Sequence, residues 1–182
     1  MSGDRFEALG EQELYRGSLI RVARGSFRAP DGSRFERDIV HHPGAVVVVP
    51  LAGPGTALLV RQYRAAIGTE LLELPAGKRD VDGEPPERTA ERELIEEVGR
   101  RAGKLELLAE FYNSPGFCDE HTWLYLATDL TEVPHDRQGV EEHAMTVHEV
   151  ALGDLDRLVA SGEVADAKTI VGLALAARRT GA

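Results

Sequence analysis

Five consecutive apolar residues, Ala45-Val46-Val47-Val48-Val49, constrain the fold of this chain most. The run shows no polar alternation and is far too short to span a membrane, so it reads as a strand covered on both faces. A sheet built on such a strand needs a layer on each side. Ala57 to Tyr63, Leu71 to Leu74, Lys104 to Phe111, Thr122 to Thr128 and Thr146 to Val150 read as further strands. Pro85-Pro86 opens a helix that ends near Gly99, with proline in the first turn and glycine just past the last. Leu152 to Ala160 and Ala165 to Arg178 read as helices, the second with apolar residues at Ile170, Leu173, Ala174 and Ala177. Strands with interspersed helices predict an α/β (α+β) fold, an α/β/α sandwich around a mixed sheet.

The segment before this run differs. Leu14 to Arg24 mixes apolar and polar residues in a strand-like way, and Ser26 to Ala29 and Arg34 to Val40 flank the turn signal Pro30-Asp31-Gly32. These residues predict a small antiparallel sheet over residues 1–42, with the main domain over 43–182 after the boundary at Pro43-Gly44. Such a sheet has exposed edges and little core of its own, so it is expected to pack on another subunit or on the main domain, and a homodimer is the expected outcome.

Composition narrows the function classes. The net charge of -10 argues against a broad nucleic-acid-binding surface. The N-terminus lacks the basic and apolar regions of a signal peptide, and no stretch predicts a membrane partner. One cysteine, Cys118, allows no intrachain disulfide, which fits a reducing cytoplasmic location. An acidic chain can still act on phosphates if a divalent cation lies between its carboxylates and the substrate.

The helix beginning at Pro86 carries an arrangement of that kind. At 100° per residue, Ala90, Leu94 and Val98 form a narrow core-facing stripe. Glu93 and Glu97 stand one turn apart beside it, and Glu96 lies one step further round. A solvated acidic face is the ordinary meaning of such a run. Here Glu93 and Glu97 repel each other next to the core, where screening is weak. A hard cation such as magnesium, which takes oxygen ligands, would resolve the conflict.

The stretch from Gly77 to Glu84, followed by Arg92-Glu93-Leu94-Ile95-Glu96-Glu97-Val98-Gly99, resembles the Nudix box. That pattern is a glycine, a glutamate, and then Arg-Glu-apolar-x-Glu-Glu-x-Gly. The seven residues between Glu84 and Arg92 keep its spacing. Six residues separate Gly77 from Glu84 where the pattern has five, and Arg100 stands where an apolar residue is usual. The resemblance implies a hydrolase of nucleoside diphosphate derivatives using two or more Mg2+ ions, with Mn2+ able to substitute. It implies Glu93 and Glu97 as main metal ligands, Glu96 in support, and the Ala76 carbonyl as a further ligand. Arg92 would orient the glutamates, and Glu84 would brace the loop.

Three stretches resemble the ADP-ribose pyrophosphatase branch. Leu71-Leu72-Glu73-Leu74-Pro75-Ala76-Gly77 runs into the box and places Glu73 among the substrate contacts. Pro115 lies sixteen positions beyond Gly99, an offset marking that branch, and Glu120 corresponds to a position near the terminal ribose. Arg64, in Arg61-Gln62-Tyr63-Arg64, is the diphosphate candidate, its guanidinium fork suiting phosphate oxygens. Phe27 and His42 are the candidates for stacking on adenine. Glu142, with Glu141 as the alternative, would supply a general base from the loop around Gly139 to His143. The implied reaction is hydrolysis of ADP-ribose to AMP and ribose 5-phosphate. The alternatives are another nucleoside diphosphate sugar or dinucleotide as substrate, or a non-catalytic ligand-sensing domain.

Overall fold

The computed structural model describes residues 5–137 and 139–181, with the backbone alone for residues 139–141. They form two compact units.

The first unit comprises the described residues up to Gly44 together with Tyr112–His121. Its strands are β1 (Glu7–Arg16), β2 (Arg21–Arg28) and β3 (Arg34–His41), in antiparallel order β1-β2-β3. Leu14 to Arg24, read from sequence as one strand, straddles a turn in which the Gly17 N–H donates to the Ile20 carbonyl at 2.9 Å. The β2–β3 turn falls at the Pro30-Asp31-Gly32 signal. Gly32 has φ 87°, and Asp31 Oδ1 accepts from the Ser33 N–H at 2.9 Å and hydroxyl at 2.6 Å. Every residue of β1 is exposed within this chain.

Why Tyr112–His121 joins this sheet is a matter of backbone pairing. The Val40 N–H donates to the Phe117 carbonyl at 2.7 Å, and the Asp119 N–H donates to the Val40 carbonyl at 3.1 Å. Asp119 Oδ2 meets His41 Nδ1 at 2.6 Å, and Oδ1 accepts from the His42 N–H at 2.8 Å.

The second unit holds β4 (Ala45–Gly53), β5 (Thr56–Arg64), β6 (Thr69–Glu73), β7 (Ala76–Lys78), α1 (Pro86–Val98), β8 (Arg100–Arg101), β9 (Lys104–Tyr112) and β10 (His121–Thr128) apart from their end residues Tyr112 and His121, β11 (Thr131–Glu132), α2 (Gly139–Ala144), β12 (Thr146–Ala151), α3 (Leu155–Ser161) and α4 (Ala167–Thr180). The main sheet runs β12-β5-β4-β10-β9, with β6 on β5 and β7 on β4, and β8 pairs separately with β11. It is mixed, because β10 runs parallel to β4 while β5 and β7 run antiparallel to it.

The apolar run in β4 is the centre of the sandwich. Val46 and Val48 enter a cluster with Ala90, Leu94 and Val98 of α1. Val47 and Val49 enter the opposite cluster with Leu158 of α3 and Leu173 and Ala176 of α4. All four valines have 0% exposure, so the lack of polar alternation reflects burial on both faces. Among the described residues, no helix is long and apolar enough to cross a membrane.

Candidate active site

Helix α1 is placed by both its ends and its stripe. Proline occupies its first turn, and Gly99 closes it at φ 64° with its N–H on the Ile95 and Leu94 carbonyls. Ala90, Leu94 and Val98 are buried against the sheet. That anchoring brings Glu93, Glu96 and Glu97 to exposures of 6, 6 and 3%. Glu96, expected one step further from the core, is as buried as Glu93.

Two of these carboxylates share one arginine. Arg92 Nη1 lies 2.8 Å from Glu93 Oε1 and 2.9 Å from Glu96 Oε2. Glu97 Oε2 instead accepts from the Ala76 N–H at 3.0 Å, which ties β7 to the helix. A Cβ at Gly77 would overlap the Glu93 side chain, so any other residue there would displace that carboxylate. Glu84 Oε2 accepts from the Thr89 hydroxyl at 2.7 Å and lies 3.8 Å from Arg92 Nη2.

Burial governs the electrostatics. Desolvation pushes the Glu97 carboxyl up to about 8, with Glu93 adding to the rise. Burial raises Glu93 to about 7 against the pull of Arg92, and it raises Glu96 as well. Glu142 of α2 raises all three through its charge, which puts it within electrostatic reach of the cluster. Glu142 belongs to a short helix where the sequence reads as a loop. The Glu141 side chain lies outside the described residues.

Near Glu97 by the same measure is Arg64, whose charge lowers the Glu97 carboxyl. Arg64 Nε and Nη2 each donate to a Glu73 oxygen at 2.7 Å. Glu73, expected among the substrate contacts, has a side-chain exposure of 1% with both oxygens on Arg64, so its contact is to the arginine. No sequence motif announces this pair, because the partners sit on adjacent strands.

The other four expected contacts belong to the first unit. Phe27 stacks on Phe35 with centroids 5.3 Å apart. His42 Nδ1 accepts from the Gly44 N–H at 3.1 Å. Pro115 is exposed in a turn where the Ser114 carbonyl accepts from Phe117 and Cys118, and the Glu120 carbonyl accepts from the Asn113 N–H.

The donor chemistry fits a hard divalent cation: three carboxylates are buried together, Arg92 pairs with only two of them, and burial raises all three carboxyls. Among the described residues, no three acidic or histidine side chains surround a common point for one ion. Their oxygens instead turn to Arg92 and the Ala76 N–H.

A buried, charge-starved glutamate cluster on a loop–helix element, within an α/β/α sandwich, defines a class that the comparisons also identify. A model of the NUDIX domain matches residues 40–169, and the chain belongs to the Nudix family. It is 40% identical over 182 residues to the ADP-ribose pyrophosphatase of Mycobacterium tuberculosis (strain ATCC 25618 / H37Rv), covering 100% of this chain and 88% of that one. It is 39% identical over 163 residues to the ADP-ribose pyrophosphatase of Bacillus subtilis (strain 168), covering 90% and 88%. A solved structure titled as an ADP compounds hydrolase matches with a TM-score of 0.83 at 22% identity, over 97% of this chain and 95% of that one. At that identity the likeness is one of fold. Nudix hydrolases generally depend on a divalent cation.

Proposed function

We propose that this protein hydrolyses the diphosphate bond of ADP-ribose, giving AMP and ribose 5-phosphate, with magnesium as its cation. The observation that carries the reading is the cluster of Glu93, Glu96 and Glu97, buried together, with Arg92 paired to the first two. The substrate rests on the two pyrophosphatase relatives and on the resemblance of Leu71 to Gly77 and of Pro115 to that branch.

In this reading Glu93 and Glu97 hold the metal, with Glu96 and the Ala76 carbonyl in support. Bound Mg2+ supplies charge neutralisation at the diphosphate and a water of lowered pKa. The rest is done by the chain. Arg92 keeps Glu93 and Glu96 in register through its two short contacts. Glu73 holds the Arg64 guanidinium as a plane, leaving Nη1 for a phosphate oxygen. Glu142 would take a proton from the attacking water, a role its electrostatic reach of the cluster supports, with Glu141 as the alternative. Phe27, His42, Pro115 and Glu120 are proposed for the adenosine and terminal ribose ends.

Two copies associate through the N-terminal sheet. Fully exposed β1 and the exposed Phe6, Leu14 and Tyr15 support this, since a strand without a covered face gains by pairing. Sedimentation at micromolar concentration is expected to give a dimer. A stable monomer would remove that part of the reading.

A substrate panel tests the activity. ADP-ribose is expected to be turned over with the highest kcat/KM in Mg2+, with AMP as the adenine-bearing product. GDP-mannose or UDP-glucose turned over as well or better would transfer the assignment to another nucleoside diphosphate sugar.

A further inference from the structure

The loop from Gly77 to Glu84 has six intervening residues where the family pattern has five. A longer loop has more conformations to lose, yet it must deliver Glu84 to a fixed place beside Thr89 and Arg92. The structure offers a fastening for it. The Arg79 guanidinium lies over the Trp123 ring at 4.5 Å from the centroid. From there Nη2 donates to the Glu84 carbonyl at 2.9 Å. The loop closes locally through the Glu84 N–H on the Val81 carbonyl at 3.2 Å, with Gly83 at φ 73°.

Trp123 is a firm platform. It lies in β10, which runs beside β4 in register Trp123↔Val46, and its ring packs against the cluster containing Ala90, Leu94 and Val98. A planar guanidinium stacked on a ring keeps its edge donors free, so one side chain can grip the sheet and the loop together.

We propose that Arg79 is a positioning residue. Stacked on Trp123, it fixes the lengthened loop so that Glu84, and through it Arg92, stays in register with the carboxylates that take the cation. The path is continuous: Trp123 ring, Arg79, the Glu84 backbone, the Glu84 carboxylate on Thr89 and near Arg92, and Arg92 on Glu93 and Glu96. The proposal rests on the reading of Glu93, Glu96 and Glu97 as cation ligands, and it is independent of which nucleotide is cleaved.

The test uses the full chain with Arg79→Met, which keeps the stem but removes the charge and the donors, and with Arg79→Lys. The protein has one tryptophan, so emission reports the stack directly. Mn2+ binding, read from the spin-resonance signal of the free ion, reports the cation site without turnover. In the Met variant, Trp123 emission changes and Mn2+ binds about five- to tenfold more weakly, in line with residues that orient metal ligands indirectly. The half-saturating Mg2+ concentration for hydrolysis rises by the same factor, while kcat at saturating Mg2+ and KM for ADP-ribose stay within about twofold. Arg79→Lys restores about half of the lost affinity, because a lysine keeps a cation over the ring and one donor toward Glu84.

Mn2+ affinity within about twofold of wild type, with Trp123 emission altered, overturns the proposal, as does unaltered emission in the Met variant. If the Met variant does not fold, the Lys variant decides: weakened Mn2+ binding supports the link and wild-type binding overturns it. Wild-type protein that binds no Mn2+ overturns this proposal and the metal reading together. Wild-type protein that binds Mn2+ but leaves ADP-ribose intact overturns only the substrate assignment, and the Mn2+ comparison still decides the role of Arg79.

Discussion

Helices α1 and α4 pack on opposite faces of one sheet and fill their buried positions with different chemistry. In α4 those positions are Thr169, Gly172, Leu173 and Ala176, and the polar ones are satisfied. Thr169 Oγ1 accepts from the Leu74 N–H at 2.9 Å and donates to Asp166 at 2.8 Å, and the same carboxylate caps the Thr169 N–H. Basic residues, Arg178 and Arg179, complete the last turn. In α1 the N-cap is Pro85 with no side-chain cap, and no basic residue lies in the last turn. Three of its seven buried residues are charged: Glu93, Glu96 and Glu97 lie beside Thr89, Ala90, Leu94 and Val98. α4 carries features that stabilise a helix. α1 lacks several of them and instead holds three carboxylates where their charge is costly without a cation.

Substitutions on the two helices should therefore separate activity from stability. The largest effect is expected on α1. Glu97→Gln keeps the side-chain volume and the oxygen facing the Ala76 N–H but removes the charge. Turnover at saturating Mg2+ should fall by about a thousandfold, the scale of losing a charge-stabilising group, while the melting temperature of the metal-free protein does not drop. Activity within a few-fold of wild type would sink the metal role. On α4 the pattern reverses. A Cβ at Gly172 would press on Leu74, with Leu124 and Val49 each 3.2 Å away. Gly172→Val should cost about 2 kcal/mol of stability in a denaturant titration, as overpacking does, and leave turnover per folded molecule unchanged. A stable but inactive variant would break the contrast.

The same two helices show what the sequence makes legible. The sequence marks both close to their observed bounds, because proline, glycine and 3.6-residue periodicity are local signals. The core stripe of α1 was read in phase. That of α4, read around Ile170, Leu173, Ala174 and Ala177, holds at buried Leu173 and half-buried Ile170 and Ala177, but misses Gly172 and Ala176, which are buried like Leu173. A helix face with glycine at its closest approach hides its centre from a count of apolar residues. Strands as short as β7, β8 and β11 have no period to read. The glutamates, Arg92 and Gly77 were legible because their spacing resembles a family pattern. Arg64 with Glu73, and Arg79 with Trp123, meet across strands or loops, and no local signal encodes such meetings. The pairing of Val40 with Phe117, Cys118 and Asp119 draws Tyr112–His121 into the N-terminal unit for the same nonlocal reason.

The central claim is that the α1 carboxylates are arranged for a cation and hold protons in its absence. Because burial raises Glu93 to about 7 and Glu97 to about 8, a cation binding near pH 7 is expected to displace protons from the pair. The direct measurement is proton release in a pH-stat when saturating Mg2+ is added to chelated protein at pH 7. The predicted release is on the order of one proton per chain, drawn from the pair together. It should fall by more than half in Glu97→Gln and diminish as the starting pH is raised above 8. No release in the wild-type protein, or the same release from Glu97→Gln, would contradict the account.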